Sequence, residues 1–197
     1  MRRRSLSRAV LTAGAFSIAM AAPAAAQTDV TKKRLQVRAG QSAVAVGTAP
    51  GPVASLQIRR RGAWRTVDRD RTTATGRFVL RARFRRTLTA PARVASGAET
   101  LRLGRLNVYR FANASWYGPG LYGNRLGCGG TLAPGRMGVA HKTLPCGSRV
   151  TLRHRGRTVN VRVIDRGPYV GGREYDLTEA TARKLRFRGH GAILATK

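Results

Sequence analysis

From about Lys32 to Leu106 the apolar positions recur with a period of two. Leu35 and Val37, Val44 and Val46, and Leu56 and Ile58 alternate with polar neighbours. Trp64 and Val67 follow. Phe78, Leu80, Ala82 and Phe84 then alternate strictly, and Val94, Leu101 and Leu103 continue the series. Turn residues separate the runs at Ala39-Gly40, Pro50-Gly51-Pro52, Arg61-Gly62, Thr75-Gly76 and Ser96-Gly97. Half-buried strands at this spacing predict a small β-sandwich over 32–106, immunoglobulin-like only in a loose sense because no Cys…Trp…Cys pattern is present. Its outward positions are heavily arginine (Arg59, Arg60, Arg61, Arg81, Arg83, Arg85, Arg86), as suits a solvated face with edges that resist pairing. No chemistry is visible here, and the region reads as a spacer or adhesion module.

Residues 107–113 read as a linker. Beyond it glycine becomes dense and aromatics cluster. Strands are predicted at 114–117, 137–141, 149–153, 158–164 and 192–196. A helix is predicted over Thr178–Leu185, with an early acid at Glu179. Periodicity alone makes this half a small β-barrel.

The first 26 residues read as an address. Arg2, Arg3, Arg4 and Arg8 precede an apolar run from Ala9 to Ala22, and Pro23-Ala24-Ala25-Ala26 supplies small residues before Gln27. That is the pattern of a signal peptide cleaved after Ala26. The apolar run is shorter than the roughly 20 residues a spanning helix needs. No cysteine lies near the cleavage point to carry a lipid, and no later segment is apolar enough to span a membrane. A secreted or cell-envelope protein is expected.

Charge narrows the partners. The chain carries 38 Lys and Arg against 8 Asp and Glu, a net +30. Cleavage would leave +26, since the leader holds four arginines and no acid. So few acids exclude a cleft built from many carboxylates. The positive field attracts polyanions. For an exported chain those are anionic wall polymers or acidic headgroups, and nucleic acid is not expected. Cys128 and Cys146 are the only cysteines, with 17 residues between them. In an oxidising compartment a disulfide is the natural reading, two buried thiols the alternative. Neither they nor His141, His154 and His190 show metal-ligand spacing, so no metal or cofactor is expected.

Several linked motifs in the second half say more. They are Ala114-Ser115-Trp116-Tyr117-Gly118, Val139-Ala140-His141-Lys142-Thr143-Leu144-Pro145 and Val163-Ile164-Asp165-Arg166-Gly167-Pro168-Tyr169, then Tyr175-Asp176-Leu177-Thr178. In this order the segment resembles the RlpA-like (rare lipoprotein A) double-psi β-barrel family, related to expansins. The resemblance implies a six-stranded double-psi barrel over 114–197 and a role on peptidoglycan, in some members as lytic transglycosylases. The chain departs from that family in three places. It lacks the lipidation cysteine, and no SPOR domain follows the barrel before Lys197. It also has Gly130 eleven positions before His141, where catalytic members carry an acid.

Cleaving a glycosidic bond needs a group that protonates the leaving oxygen. A lytic transglycosylase lets the sugar's own 6-hydroxyl attack, so one carboxyl can serve as acid and then base. Asp165, at the end of an apolar strand, is the candidate catalytic residue; a structural turn before Gly167-Pro168 is the plainer reading. Asp176, His141, Tyr117, Trp116, Arg166 and Tyr169 are candidate substrate-binding residues. Asp176 is alternatively a helix cap, and Trp116 is expected in the barrel core, whereas Tyr169 suits sugar stacking. Glu174 and Glu179 are expected to face solvent. The function expected is an exported, monomeric protein acting on peptidoglycan glycan strands as an RlpA-like lytic transglycosylase. The alternative is a non-catalytic, expansin-like glycan-binding module, and a third reading is a polyanion binder acting through charge alone.

Overall fold

The computed structural model describes residues 27–197. The expected leader lies outside the described residues. Two hydrophobic clusters divide the side chains. One runs from Leu35 to Val108 and the other from Ala112 to Ala195.

The first cluster lies between two sheets. One is β1 (Asp29–Arg34), β3 (Ser42–Thr48) and β6 (Arg77–Arg83), in that order. The other runs β5 (Ala63–Arg71), β4 (Val53–Arg60), β7 (Leu88–Ser96) and β8 (Glu99–Tyr117), with β2 (Gln36–Arg38) added parallel to β8. Alternation fixes which face is buried. Phe78, Leu80 and Ala82 on β6 point inward, as do Ala54, Leu56 and Ile58 on β4. On β3 the phase is opposite to the one the valines suggest. Ala43 and Ala45 are fully buried, while Val44 and Val46 are half-buried on the other face. Small alanines leave room for Phe78 and Leu80 on the core side. Trp64 is also not core: it is half-buried on the outer face, with the Arg93 guanidinium 4.3 Å above its ring.

The expected linker is strand. Residues 107–113 are the middle of β8, a single run of 19 residues. Its first part pairs with β7, its middle with β2, and its last part enters the second half. The buried Tyr109 anchors the crossing, its hydroxyl donating to Gln36 Oε1 at 2.6 Å. The change in composition therefore falls inside one hydrogen-bonded strand.

The second half closes on itself. Its strands are the end of β8, β9 (Val139–His141), β10 (Arg149–His154), β11 (Arg157–Asp165), β12 (Tyr175–Thr178) and β13 (Gly191–Ala195). The order β8-β12-β9-β11-β10-β13 returns to β8, so these six strands form a ring without a free edge. Pairings β8–β12 and β9–β11 are parallel and the others antiparallel. The helix α1 (Glu179–Leu185) follows β12, and Thr178 caps it by accepting from the Thr181 amide. Leu185, Ala182 and Phe187 join Val150, Leu152, Val163 and Leu177 in the core.

Candidate functional site

Register brings the two central carboxylates together. Asp165 on β11 pairs with Ala140 on β9, Ala140 with Asp176 on β12, and Asp176 with Ser115 on β8. Four strands thus present Asp165, Ala140, Asp176 and Ser115 in one row. Two strand spacings separate the carboxylate-bearing backbones, roughly 10 Å. The residue between them, Ala140, has only a methyl side chain and is itself buried. A bulge at Val163–Asp165 places Asp165 opposite Ala140. Bulges commonly re-aim a side chain in this way.

The two acids have different surroundings. Asp165 Oδ1 accepts from the Gly127 amide at 2.7 Å and from the Arg166 amide at 2.8 Å. These donors fix the carboxylate's position. A side chain at 127 would collide with Arg166 Cγ at 2.9 Å, so only glycine brings this amide so close. Asp176 Oδ1 accepts from the Ser115 hydroxyl at 2.7 Å. Burial raises the Asp176 carboxyl above its ordinary value, against the lowering pull of the Ser115 hydroxyl and the Arg173 charge, with Asp165 adding to the rise.

Tyr117 completes the cluster. Its hydroxyl is buried with no hydrogen-bond partner at bonding distance. Burial pushes the phenol well up, and the Asp165 and Asp176 carboxylates push it further, while Arg136 pulls the other way. The phenol therefore stays protonated, with its hydroxyl beside both acids.

The remaining candidates stand elsewhere. His141 lies opposite Tyr175 rather than in the carboxylate row, its ring centroid 4.9 Å from that of Tyr175. Its Nδ1 accepts from the Thr143 and Leu144 amides at 3.1 and 3.0 Å. That bonding fixes the neutral tautomer with the proton on Nε2, and burial lowers the ring's pKa in the same sense. Arg166 braces the same loop, donating to the His141 and Leu144 carbonyls at 3.0 and 2.8 Å and to Cys146 Sγ at 2.9 Å. Tyr169 is 81% exposed. Trp116 is not core: it is 38% exposed and leaves β8 on the face opposite to Tyr117. Glu174 and Glu179 are half-buried rather than free in solvent. Glu174 pairs with Arg110 at 2.6 Å, and Glu179 accepts from the Tyr122 hydroxyl and meets Arg183 at 3.6 Å.

Cys128 and Cys146 form a disulfide, with Cα atoms 5.5 Å apart. It ties the loop carrying Gly127 to the loop that follows β9. Among the described residues no group of His, Cys, Asp and Glu could hold a metal ion.

Two participants were not singled out from sequence. Ser115 shares its motif with Trp116 and Tyr117, and only its pairing with Asp176 gives it a role. Arg136 folds back over Gly130: a Cβ there would lie 2.9 Å from Arg136 Nη1. The same guanidinium donates to the Thr131 carbonyl at 2.9 Å. A cation therefore stands beside the position expected from the resemblance to hold an acid.

Residues 111–195 match the family model described as "Lytic transglycolase". The chain is 35% identical over 120 residues to the probable endolytic peptidoglycan transglycosylase RlpA of Synechocystis, covering 55% of this chain and 37% of that protein. It is 43% identical over 74 residues to the endolytic peptidoglycan transglycosylase RlpA of Campylobacter jejuni, covering 36% of this chain and 27% of the relative. The match to the Pseudomonas aeruginosa PA14 protein of that name is 45% over 80 residues, covering 40% and 24%. The chain thus spans little more than a third of the length of these curated relatives at most. With the closed ring of six strands, these matches liken residues 111–195 to the double-psi β-barrel domain of the RlpA proteins.

Proposed function

We propose that this chain is an exported, cell-envelope protein that cleaves peptidoglycan glycan strands by lytic transglycosylation. The observation that carries the reading is the row of Asp165, Ala140, Asp176 and Ser115, which sets two carboxyl groups on either side of one small residue with the Tyr117 phenol beside them. Asp176 is the group suited to hold a proton, because burial raises its pKa. It protonates the leaving glycosidic oxygen as the bond from that oxygen to C1 breaks. Asp165, held by two amides, places negative charge beside the developing oxocarbenium ion. The sugar's 6-hydroxyl then bonds to C1 and gives its proton to the Asp176 carboxylate. The acid is restored, no water is consumed, and a 1,6-anhydro end is left. Tyr117 donates to a sugar oxygen or to either carboxylate, and the exposed Tyr169 ring is free to stack on a sugar.

We assign the sandwich before the barrel, with sheets β1-β3-β6 and β5-β4-β7-β8, to a loosely immunoglobulin-like architecture with the role of a spacer or adhesion module. Export as a monomer with a cleaved leader belongs to the same reading.

A specific observation favours a second reading. Arg136 lies against Gly130, so the site has a cation where a further acid would assist the cationic transition state. On that reading the row of acids grips glycan without cutting it, in the manner of expansins. Purified sacculi separate the two. Cleavage releases soluble muropeptides, weakly in the wild type and not at all in Asp165→Asn or Asp176→Asn. Binding without any release by the wild type supports the expansin-like module and overturns the enzyme.

A further inference from the structure

Behind the carboxylate row, on the other face of β8, lies a groove of about 700 Å³ that the proposed cleavage does not use. Trp116, Phe187, Arg183, Arg186 and Arg188 line it. Arg186, Phe187 and Arg188 also line an adjoining hollow of about 420 Å³ that Arg155 borders. The two hollows therefore sit side by side along the loop that follows α1, and together they are called the channel.

Its floor is rigid. Phe187 is buried in the barrel core, and the His154 ring meets it edge-on with centroids 5.3 Å apart. The loop is fixed by the Arg186 amide on the Ala182 and Arg183 carbonyls and by the Phe187 amide on Ala182 at 2.9 Å. Trp116 presents its indole from the wall. The rim is positive, and most of its arginines are unpaired. Among the described residues, Glu179 is the only carboxylate on the channel, and Tyr122 and Arg183 already engage it. Among the described residues, Arg155, Arg186 and Arg188 have no acidic partner.

We propose that this channel binds an anionic saccharide chain, with a sugar ring on Trp116 and its carboxylate or phosphate groups held by Arg186 and Arg188. An exposed indole in a concave wall offers the flat apolar face of a sugar a partner. Guanidinium forks match carboxylate and phosphate oxygens in two-bonded geometry. A recessed aromatic with charges on the walls favours a chain lying in the channel over a flat lipid surface. Trp116 and Tyr117 are consecutive but leave β8 on opposite faces, so this site is separate from the proposed cleavage site. The channel does not rest on that activity.

The test uses oligogalacturonate as the anionic probe, neutral chitohexaose as its uncharged counterpart, and calorimetry with the whole exported chain. Oligogalacturonate is expected to bind saturably and chitohexaose not to bind at the channel. Arg186→Ser with Arg188→Ser should weaken binding at least about tenfold, as expected for losing two charge-assisted contacts. Arg60→Ser with Arg61→Ser removes the same charge from the sandwich and should change it less than about twofold, as for remote screened charges. Trp116→Ala should weaken it by about tenfold through lost stacking. Asp176→Asn should leave it unchanged, which separates this site from the proposed catalytic one. Equal losses from the two arginine pairs, no effect of Trp116→Ala, or binding to phosphatidylglycerol vesicles without binding to oligogalacturonate would each overturn the proposal.

Discussion

At the scale of single residues the account rests on the unequal surroundings of Asp165 and Asp176. Burial raises the Asp176 pKa above its unfolded value, so the folded protein binds the proton more tightly than the unfolded chain. Stability from this group is then greatest at low pH and is lost as pH rises from about 3.9 through the raised folded value. Asp176→Asn is expected to flatten that part of the stability profile and to raise Tm at neutral pH. Urea melts across the acid range check it, and an unchanged profile contradicts the assignment. Ser115→Ala removes a hydrogen bond that lowers the same pKa, so its carboxyl titration should move upward in NMR. Gly130 makes a second test. Gly130 has φ +76° and its Cβ would crowd Arg136, so Gly130→Glu alone is strained. Gly130→Glu with Arg136→Ala replaces a cation by a carboxylate, and release of muropeptides should rise by about tenfold or more. No rise means that the site does not feel this position.

At the scale of elements, the disulfide sets the site's geometry. It holds the loop whose Gly127 amide fixes Asp165. Cys146→Ala should cost about 3 kcal/mol of stability, as expected for a closed loop of this length, and chemical denaturation measures it. The same variant should show faster hydrogen exchange at the Gly127 amide. Much at this scale was legible in the sequence. Strands at 149–153, 158–164 and 192–196 and the helix at 178–185 lie within about two residues of those observed. The Cys128–Cys146 pairing was legible, and the acids at 165 and 176 were visible as residue types. The meeting of the two acids was not, because β12 is only four residues long and pairs in parallel with a strand some 60 residues earlier. The linker was misread because Leu106–Asn113 is a strand that changes partners midway, and composition reports the partners rather than the backbone. Val44 and Val46 pointed to the wrong face because alanines fill the core side of β3. Trp116 and Tyr117 sit side by side in sequence, yet the pleat sends them to opposite faces.

At the scale of the whole molecule, charge and recognition are separable. A net +30 on the full chain attracts polyanions in general, and screening over about 8 Å at physiological ionic strength weakens that attraction. Sacculus binding should therefore fall steeply as salt rises, with a residual part that Tyr169→Ala and Asp176→Ala remove. Binding lost entirely to salt, and indifferent to both substitutions, would leave charge as the sole attraction. The central claim is that the row of Asp165, Ala140 and Asp176 cuts glycan without consuming water. Digestion of purified sacculi in heavy-oxygen water, followed by mass spectrometry of the released fragments, tests it most directly. The account predicts 1,6-anhydro ends that carry no heavy oxygen and that disappear in Asp176→Asn. Reducing ends labelled with heavy oxygen, or unlabelled release that survives Asp176→Asn, would contradict it.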